Sequence, residues 1–151
     1  MKLLITMLLF TASGVFASDV DLRQIYLDFE SAYMSNDAGR ISEWLAENYE
    51  IKQTLHIPGV GPDYRPVSKE QLIASMNRTG KPSSFPRSER DSVIIIENEQ
   101  HKFCGTSKTL NKTIVRGKDF EEKEERRVCF DYRDGRYFAV EHTIDVFFTE
   151  M

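Results

Sequence analysis

Residues 128–144 read VCFDYRDGRYFAVEHTI, two runs of alternating apolar and polar residues joined by an Asp-Gly dipeptide at 134–135. Asp-Gly between two such runs is a strong hairpin signal, because both residues accept the left-handed backbone of a two-residue type I′ turn. The stretch therefore predicts two long antiparallel strands at the end of the chain, and the pairing of these strands decides which side chains face the core.

The two cysteines extend this register to the preceding strand. A bridge between Cys104 and Cys129 brings Lys102 opposite Asp131, which is a favourable cross-strand pair. An oxidising compartment would permit the bond. We therefore expect Cys104 and Cys129 to lie opposite each other on neighbouring strands and to form a disulfide.

Alternation along the strands sorts the hairpin side chains onto two faces. With a two-residue turn at 134–135, Glu141 shares a face with Phe130 and Tyr137, whereas His142 lies on the opposite face. Glu141 and His142 then cannot meet in one site, which excludes a Glu-His-Asp triad with Asp145. The face opposite Glu141 carries an apolar stripe of three residues: Phe138, Val140 and Ile144.

The first half of the chain predicts three helices. Apolar residues in 22–33 recur every three or four positions, as in an amphipathic helix. The segment 41–45 supplies Ile, Trp and Leu for a second, short helix. Ser68 and Gln71 are placed as a capping box for a third helix, which ends near Gly80.

Five strands accompany these helices. Residues 49–57 alternate as a half-buried strand, with Gln53 as the polar exception on the inner row. Proline and glycine predict a loop at 58–66. The charged run at 119–127 is interpreted as a hairpin end and a solvated strand start. The remaining predicted strands cover 92–98, 101–111, 124–133 and 136–148.

The N-terminus carries the pattern of a secretory signal. Lys2 precedes an apolar run at 3–10, and small residues surround Ala17, which predicts cleavage after Ala17. The apolar run is shorter than the roughly 20 residues that cross a bilayer. We expect a signal peptide over 1–17, a single domain over 18–151, and export to the periplasm or the exterior.

Composition excludes several classes of function. The formal net charge is -4 and the basic residues are scattered among acids, so nucleic acid is not an expected partner. Two cysteines and three histidines that do not converge predict no metal site. Without a Gly-rich phosphate loop or a nucleophile elbow, no cofactor is expected.

Element order and two stretches, SAYMSNDAGRISEWLAENY at 31–49 and YRDGRYFAVEH at 132–142, resemble the nuclear transport factor 2-like superfamily, which includes polyketide cyclases and ketosteroid isomerases. The resemblance implies an α+β fold, a cone in which a helical hairpin and a third helix pack on a curved antiparallel sheet. It implies that Tyr137 and Glu141 face into the cone and that the convex face forms homodimers. The isomerases place a catalytic carboxylate near the position of Gln53, and an amide there does not support that chemistry.

Glu141 is therefore the candidate catalytic acid or base, because burial would raise its pKa toward a working range. The alternative is a structural ion pair between Glu141 and Arg126. The expected ligand pocket is lined by five residues: Tyr26, Tyr33, Gln53, Phe130 and Tyr137. Aromatic residues at helical spacing are more often core than pocket, so this alternative also stays open for the two helix tyrosines.

Three functions follow from these residues. The first is an exported, non-catalytic binding or accessory domain for a small, largely apolar ligand. The second is a cofactor-free cyclase, isomerase or dehydratase that uses Glu141. The third is a homodimeric module whose cone is filled by side chains.

Overall fold

The structure is a computed structural model that describes residues 20–83 and 86–151, so the predicted signal peptide at 1–17 lies outside the described residues. The helices are α1 (Leu22–Met34), α2 (Ala38–Ser42) and α3 (Lys69–Thr79). The strands are β1 (Leu45–Ile57), β2 (Gly61–Ser68), β3 (Ile94–Glu99), β4 (Lys102–Val115), β5 (Lys118–Arg133) and β6 (Arg136–Glu150). None of the described helices is long and apolar enough to cross a membrane.

The six strands form one curved sheet in the order β2-β1-β6-β5-β4-β3. Neighbouring strands are antiparallel except β1 and β6, which run parallel. The helices cover one face of this sheet, which we call the inner face, and leave the other as the outer face. This arrangement confirms the predicted α+β cone.

Helix α1 packs closely on the inner face. Its apolar stripe buries Tyr26 and Phe29 completely, which confirms the predicted amphipathic helix. The Tyr26 hydroxyl lies 2.8 Å from the Ser107 Oγ in β4. The Tyr26 ring lies over Gly105, where an added Cβ would be 2.7 Å from the ring. Gly105 therefore allows α1 to approach the sheet.

Two predictions in the first half of the chain were wrong at their boundaries. Helix α2 ends at Ser42 and strand β1 begins at Leu45. The Trp44 carbonyl accepts a hydrogen bond from the Ala139 amide at 2.8 Å, so the backbone already pairs with the sheet at this point. Most of the predicted loop at 58–66 is strand β2. Its prolines are tolerated because β2 is an edge strand. The predicted capping box of α3 is confirmed.

The predicted register of β4 and β5 is confirmed. Lys102 pairs with Asp131 and Cys104 with Cys129, and the two cysteines form a disulfide with a Cα–Cα distance of 4.1 Å. The turn between these strands is Arg-Gly at 116–117. Both residues have positive φ, so this tight turn resembles the predicted one at 134–135.

The β5–β6 hairpin departs from its predicted register at one residue. Phe130 pairs with Ala139 as expected, but Cys129 pairs with Glu141, which leaves Val140 as the extra residue of a β-bulge. A bulge shifts every later side chain to the other face. The predicted faces of β6 are therefore wrong beyond Val140: Glu141 lies on the outer face and His142 on the inner face.

The bulge also removes part of the predicted apolar stripe on the outer face. Ile144 is only 3% exposed and belongs to the core, opposite Arg126. Phe138 and Val140 are half-buried. The stripe is therefore limited to these two residues.

Candidate functional site

A cavity of about 300 Å³ lies between α1, α3 and the inner face of the sheet. We call it the cone cavity. Leucine, methionine and isoleucine side chains form one part of its wall, and polar or charged side chains form the rest. Its lining residues are Tyr33, Asn36, Gln53, Leu72, Ser75, Met76, Lys81, Ser83, Glu124, Arg126 and Ile144.

Arg126 is the buried cation of the cavity wall. It is 4% exposed and lies between two carboxylates: Nη1 donates to Glu30 at 2.7 Å, and Nη2 donates to Glu124. Burial lowers the pKa of Arg126, but Glu124 and Glu30 outweigh this effect and raise it. The Tyr33 ring lies 5.6 Å from the guanidinium carbon. Arg126 is therefore charged and fixed in position.

The two carboxylates that hold Arg126 differ in their other partners. Glu30, in α1, is 1% exposed and also accepts hydrogen bonds from the Ser88 amide at 2.9 Å and the Ser88 hydroxyl at 2.6 Å. Glu124 lines the cone cavity, and its hydrogen-bond partner among the described residues is Arg126. Glu30 is thus saturated, whereas Glu124 keeps acceptor capacity on the cavity side.

A third acid, Glu122, lies on the same face of β5 two residues from Glu124. It is 9% exposed and has no hydrogen-bond or ion-pair partner among the described residues. Burial, and then the charge of Glu124, raise the pKa of Glu122. The inner face therefore holds an acidic side chain that the described protein does not neutralise.

His142 lies deeper in the core, beside the cavity residue Tyr33. Its ring is completely buried, with Nδ1 2.9 Å from the Tyr49 hydroxyl and the Tyr33 ring centroid 4.9 Å away. Burial, and to a lesser extent the charge of Arg126, lower the pKa of His142 well below 6.5. The imidazole is therefore neutral at pH 7, and its Nε2 has no hydrogen-bond partner among the described residues.

The structure brings two of the five predicted pocket residues to the cone cavity, Tyr33 and Gln53. Tyr26 and Phe130 are completely buried in the core and do not line it. Tyr137 lines a different pocket, of about 470 Å³, at the hairpin end of the sheet. Within the described residues, no three His, Cys, Asp or Glu side chains are grouped to hold a metal ion.

Glu141 lies away from the cone cavity, so its predicted inward position was wrong. It accepts a hydrogen bond from Arg127 Nη1 at 3.0 Å, lies 3.8 Å from Lys52 Nζ, and has a side chain that is 40% exposed. The predicted ion pair between Glu141 and Arg126 was wrong for the same reason. The bulge at Val140 places Glu141 on the outer face, where Arg127 lies.

The buried acids were not identified from the sequence. Glu30 is four residues after Tyr26 and three before Tyr33, so its helical spacing places it on the buried stripe, and this signal was available. Glu122 and Glu124 lie in a run with charges at almost every position. Such a run gives no alternation between faces, so it was interpreted as solvated.

The sequence matches no protein-family model and no curated protein. Solved structures do match. An NTF2-like protein from Cytophaga hutchinsonii is 17% identical with a TM-score of 0.57, over 82% of this chain and 96% of that chain. The association domain of CaMKII from C. elegans is 11% identical with a TM-score of 0.56, over 82% and 92%.

A third similar structure is the hexachlorocyclohexane dehydrochlorinase LinA-type3 from Novosphingobium barchaimii, 13% identical with a TM-score of 0.54, over 86% of this chain and 87% of that chain. An enzyme and an association domain thus share this architecture, and architecture alone does not give function. The element order, the curved open sheet and these similarities together show that the chain has the cone-shaped fold of the nuclear transport factor 2-like superfamily.

Proposed function

We propose that the protein is an exported, non-catalytic binding module whose cone cavity holds a small, largely apolar molecule. The observation that carries this proposal is the cavity itself. Leu72, Met76 and Ile144 supply an apolar wall, and Arg126 is a fixed polar group beside them. In ligand sites, fixed polar groups orient a molecule against an apolar wall, and here polar and charged residues form the larger part of the lining.

The hydrogen bonds around the cavity favour binding over catalysis. A general base needs a free proton-accepting atom within reach of the substrate. Both oxygens of Glu30 accept hydrogen bonds, from Arg126 and Ser88, and one oxygen of Glu124 is held by Arg126, so these two acids offer a substrate at most the other oxygen of Glu124. Glu141, the acid expected to do this chemistry, lies on the outer face.

A cavity-filling variant tests the proposal. Ser75 lines the cavity from α3, so Ser75→Phe places an aromatic ring in it. Ala74→Phe adds the same ring at an exposed neighbouring position and serves as the control. In an NMR screen of a fragment library, we expect shifts of cavity residues in the natural protein and in Ala74→Phe that disappear in Ser75→Phe. Hits that bind Ser75→Phe equally well would contradict the proposal.

The alternative is a cofactor-free lyase or isomerase, with Glu124 in place of Glu141 as the acid or base. Glu124 is the carboxylate that lines the cavity, and a structurally similar protein is a dehydrochlorinase. Chloride release from hexachlorocyclohexane that is lost in Glu124→Gln would favour this alternative. Ligand binding without turnover would favour the binding module.

Export is the second part of the proposal. Cleavage after Ala17 would deliver the domain at 18–151 to an oxidising compartment, where a disulfide such as Cys104–Cys129 is stable. N-terminal sequencing of protein from the natural source should begin at Ser18. Recovery of soluble protein that begins at Met1 would contradict export.

We also propose that the outer face of the sheet binds a second copy of the chain. Phe138 and Val140 lie there half-buried, and a structurally similar protein is an association domain. Val140→Glu would place a charge in such an interface. Light scattering should show a dimer for the natural protein and a monomer for this variant, and a monomeric natural protein would contradict the proposal.

A further inference from the structure

The pocket at the hairpin end of the sheet is a second concave site, separate from the cone cavity. We call it the hairpin pocket. Its volume is about 470 Å³, which is within the range of small-molecule sites. Three aromatic side chains line it, Trp44, Tyr132 and Tyr137, together with the aliphatic Val20 and Ile25. The proposed binding of a molecule in the cone cavity makes no use of this pocket.

The aromatic walls of the hairpin pocket are held in place by the fold. Tyr132 and Tyr137 pair across the β5–β6 hairpin, and their ring centroids lie 5.0 Å apart with the planes inclined at 60°. The edge of Tyr137 contacts the buried Phe103 at 5.1 Å. On the opposite side, Trp44 contacts the buried Phe29 edge-on at 6.1 Å. The pocket therefore presents fixed ring surfaces that need no rearrangement to receive a ligand.

The charged residues of the lining leave a negative charge available. Glu43, at the end of α2, is exposed and has no hydrogen-bond or ion-pair partner among the described residues. Arg136 also belongs to the lining, but its guanidinium carbon lies 4.4 Å from the ring centroid of Phe138. Residues two apart on a strand share a face, so Arg136 and Phe138 lie on the face opposite Tyr137. The cation of Arg136 is therefore directed toward the outer face, whereas the carboxylate of Glu43 is free.

We propose that the hairpin pocket binds a quaternary ammonium group, such as the trimethylammonium head of choline. The faces of Trp and Tyr rings attract a cation through their quadrupoles, and three such rings around one cation are a recurrent solution for quaternary ammonium ligands. Glu43 adds a formal charge of the opposite sign. This inference concerns a different site from the proposed function and does not depend on it.

The apolar lining favours a quaternary ammonium over a primary one. A primary ammonium carries three N–H donors, and each requires an acceptor when it leaves water. The rings and aliphatic side chains of the pocket offer few acceptors. A quaternary ammonium has methyl groups in place of these donors, so it can contact the rings directly without leaving a hydrogen bond unmade.

Three probes test the inference: choline, ethanolamine, and the neutral alcohol of the same shape as choline, in which a carbon atom replaces the nitrogen. Trp44 is the only tryptophan in the chain, so its indole N–H signal in the NMR spectrum reports binding in this pocket. Each probe is titrated at pH 7 and constant ionic strength. We expect choline to bind about tenfold more tightly than the neutral alcohol, and more tightly than ethanolamine.

Variants of Tyr132 test the contribution of the rings. Tyr132 is 41% exposed, so Tyr132→Leu should fold normally and weaken choline binding by about tenfold. Tyr132→Phe keeps the ring and should keep most of the affinity. Tyr64→Leu removes a tyrosine that is 57% exposed on β2 and should bind choline as the natural protein does. An unchanged choline affinity in Tyr132→Leu would overturn the inference.

Variants of Glu43 test the contribution of the charge. Glu43→Gln should reduce the preference for choline over the neutral alcohol. Glu50→Gln removes the same formal charge from an exposed position of β1 and should keep the preference, which controls for the net charge of the protein. A full preference in Glu43→Gln would contradict the inference. Equal affinities for choline and the neutral alcohol in the natural protein would also contradict it, as would a failure of choline to bind.

The cavity-filling variant separates the two sites. Ser75→Phe obstructs the cone cavity, which has no lining residue in common with the hairpin pocket among the described residues. Choline should therefore bind Ser75→Phe and the natural protein equally well. If Ser75→Phe abolishes choline binding, choline occupies the cone cavity and the assignment to the hairpin pocket is wrong.

Discussion

Val128 in β5 faces His142 in β6, and not the Glu141 that an unbroken hairpin would bring to it. The cause is a single extra residue, Val140, between Ala139 and Glu141. This residue places an imidazole in the core and a carboxylate on the outer face, so it decides which of the two could take part in a buried site.

Deleting Val140 should remove the bulge without changing the face of any other side chain. Cys129 would still pair with Glu141, and the strand would alternate regularly on both sides of the deletion. We expect a folded protein that loses about 1–2 kcal/mol of stability with the lost curvature, measured by urea unfolding.

Deletion of Thr143 is the matched control. It moves Ile144 and Val146, which are 3% and 2% exposed, to the outer face, so this variant should fail to fold. If the two deletions are equally harmful, the bulge is not the source of the register shift.

The buried cluster of Arg126, Glu30 and Glu124 should contribute more to the free energy of unfolding than the ion pairs on the outer face do. Arg126→Met leaves Glu30 and Glu124 buried without their cation, so we expect a loss of about 3–5 kcal/mol in urea unfolding. Arg127→Met, on the half-exposed outer face, should cost about 0–1 kcal/mol.

A triple variant checks that the loss comes from unpaired charge. Arg126→Met combined with Glu30→Gln and Glu124→Gln removes all the charges of the cluster and should recover part of the stability. If the triple variant is no more stable than Arg126→Met, lost packing explains the effect instead.

His142 should make stability depend on pH below 6.5. Its folded pKa is lowered well below 6.5, so the unfolded chain binds a proton that the folded chain does not. The contribution of His142 is therefore fully present above pH 6.5 and is lost as pH falls, by up to about 1.4 kcal/mol per pH unit. Urea unfolding between pH 5 and pH 7 measures this slope.

The double variant Tyr49→Phe/His142→Phe should flatten this dependence, because it removes the titrating group and the hydroxyl that would otherwise lose its partner. His101→Gln, at an exposed turn position, is the control and should keep the slope of the natural protein. An unchanged slope in the double variant would show that another group titrates.

Glu122 should make stability depend on pH in the opposite direction to His142. Its pKa is raised above 4.5 in the fold, so the folded chain holds its proton more tightly than the unfolded chain does. Stability therefore falls as pH rises above 4.5. Without ligand, Glu122→Gln should raise Tm at pH 7 by about 2–5 °C, and the gain should disappear at pH 4. A lower Tm at pH 7 would show that Glu122 has a partner.

The disulfide should stabilise the fold by joining residues that are 25 apart in sequence. Replacing both Cys104 and Cys129 by alanine should lower the free energy of unfolding by about 2–4 kcal/mol. A reducing agent should lower the stability of the natural protein to that of the double variant and leave the double variant unchanged. A natural protein insensitive to reduction would contradict the bond.

The sequence was sufficient for the fold and for one strand register. The pair Lys102 and Asp131 and the two cysteines identified the β4–β5 pairing correctly, because each depends on side chains that must meet. The bulge at Val140 could not be predicted this way. A bulge adds one residue to an alternating pattern. Valine is common in regular strands, so its presence does not indicate a bulge.

The candidate site was harder to predict for a related reason. Tyr33 and Gln53 were identified because they follow helical and strand periodicity. Glu122 and Glu124 lie where both faces of β5 carry charged residues. The sequence there has no apolar-polar alternation that would predict which side chains face the core. Strand β2 was missed because the prolines at 62 and 66 indicate a loop unless the strand is known to lie at an edge.

The interior of the cone has two parts, which meet where Phe29 contacts Tyr33. In the first part Phe29, Phe103 and Phe130 pack ring against ring, and the second part is the cone cavity, where Tyr33 stacks on Phe29 and forms part of the lining. In the proposed binding module, substitutions on the α3 side of the cavity can therefore change which molecule binds while the aromatic residues continue to hold the fold. Such a module could acquire a different ligand over evolution without first having to gain stability.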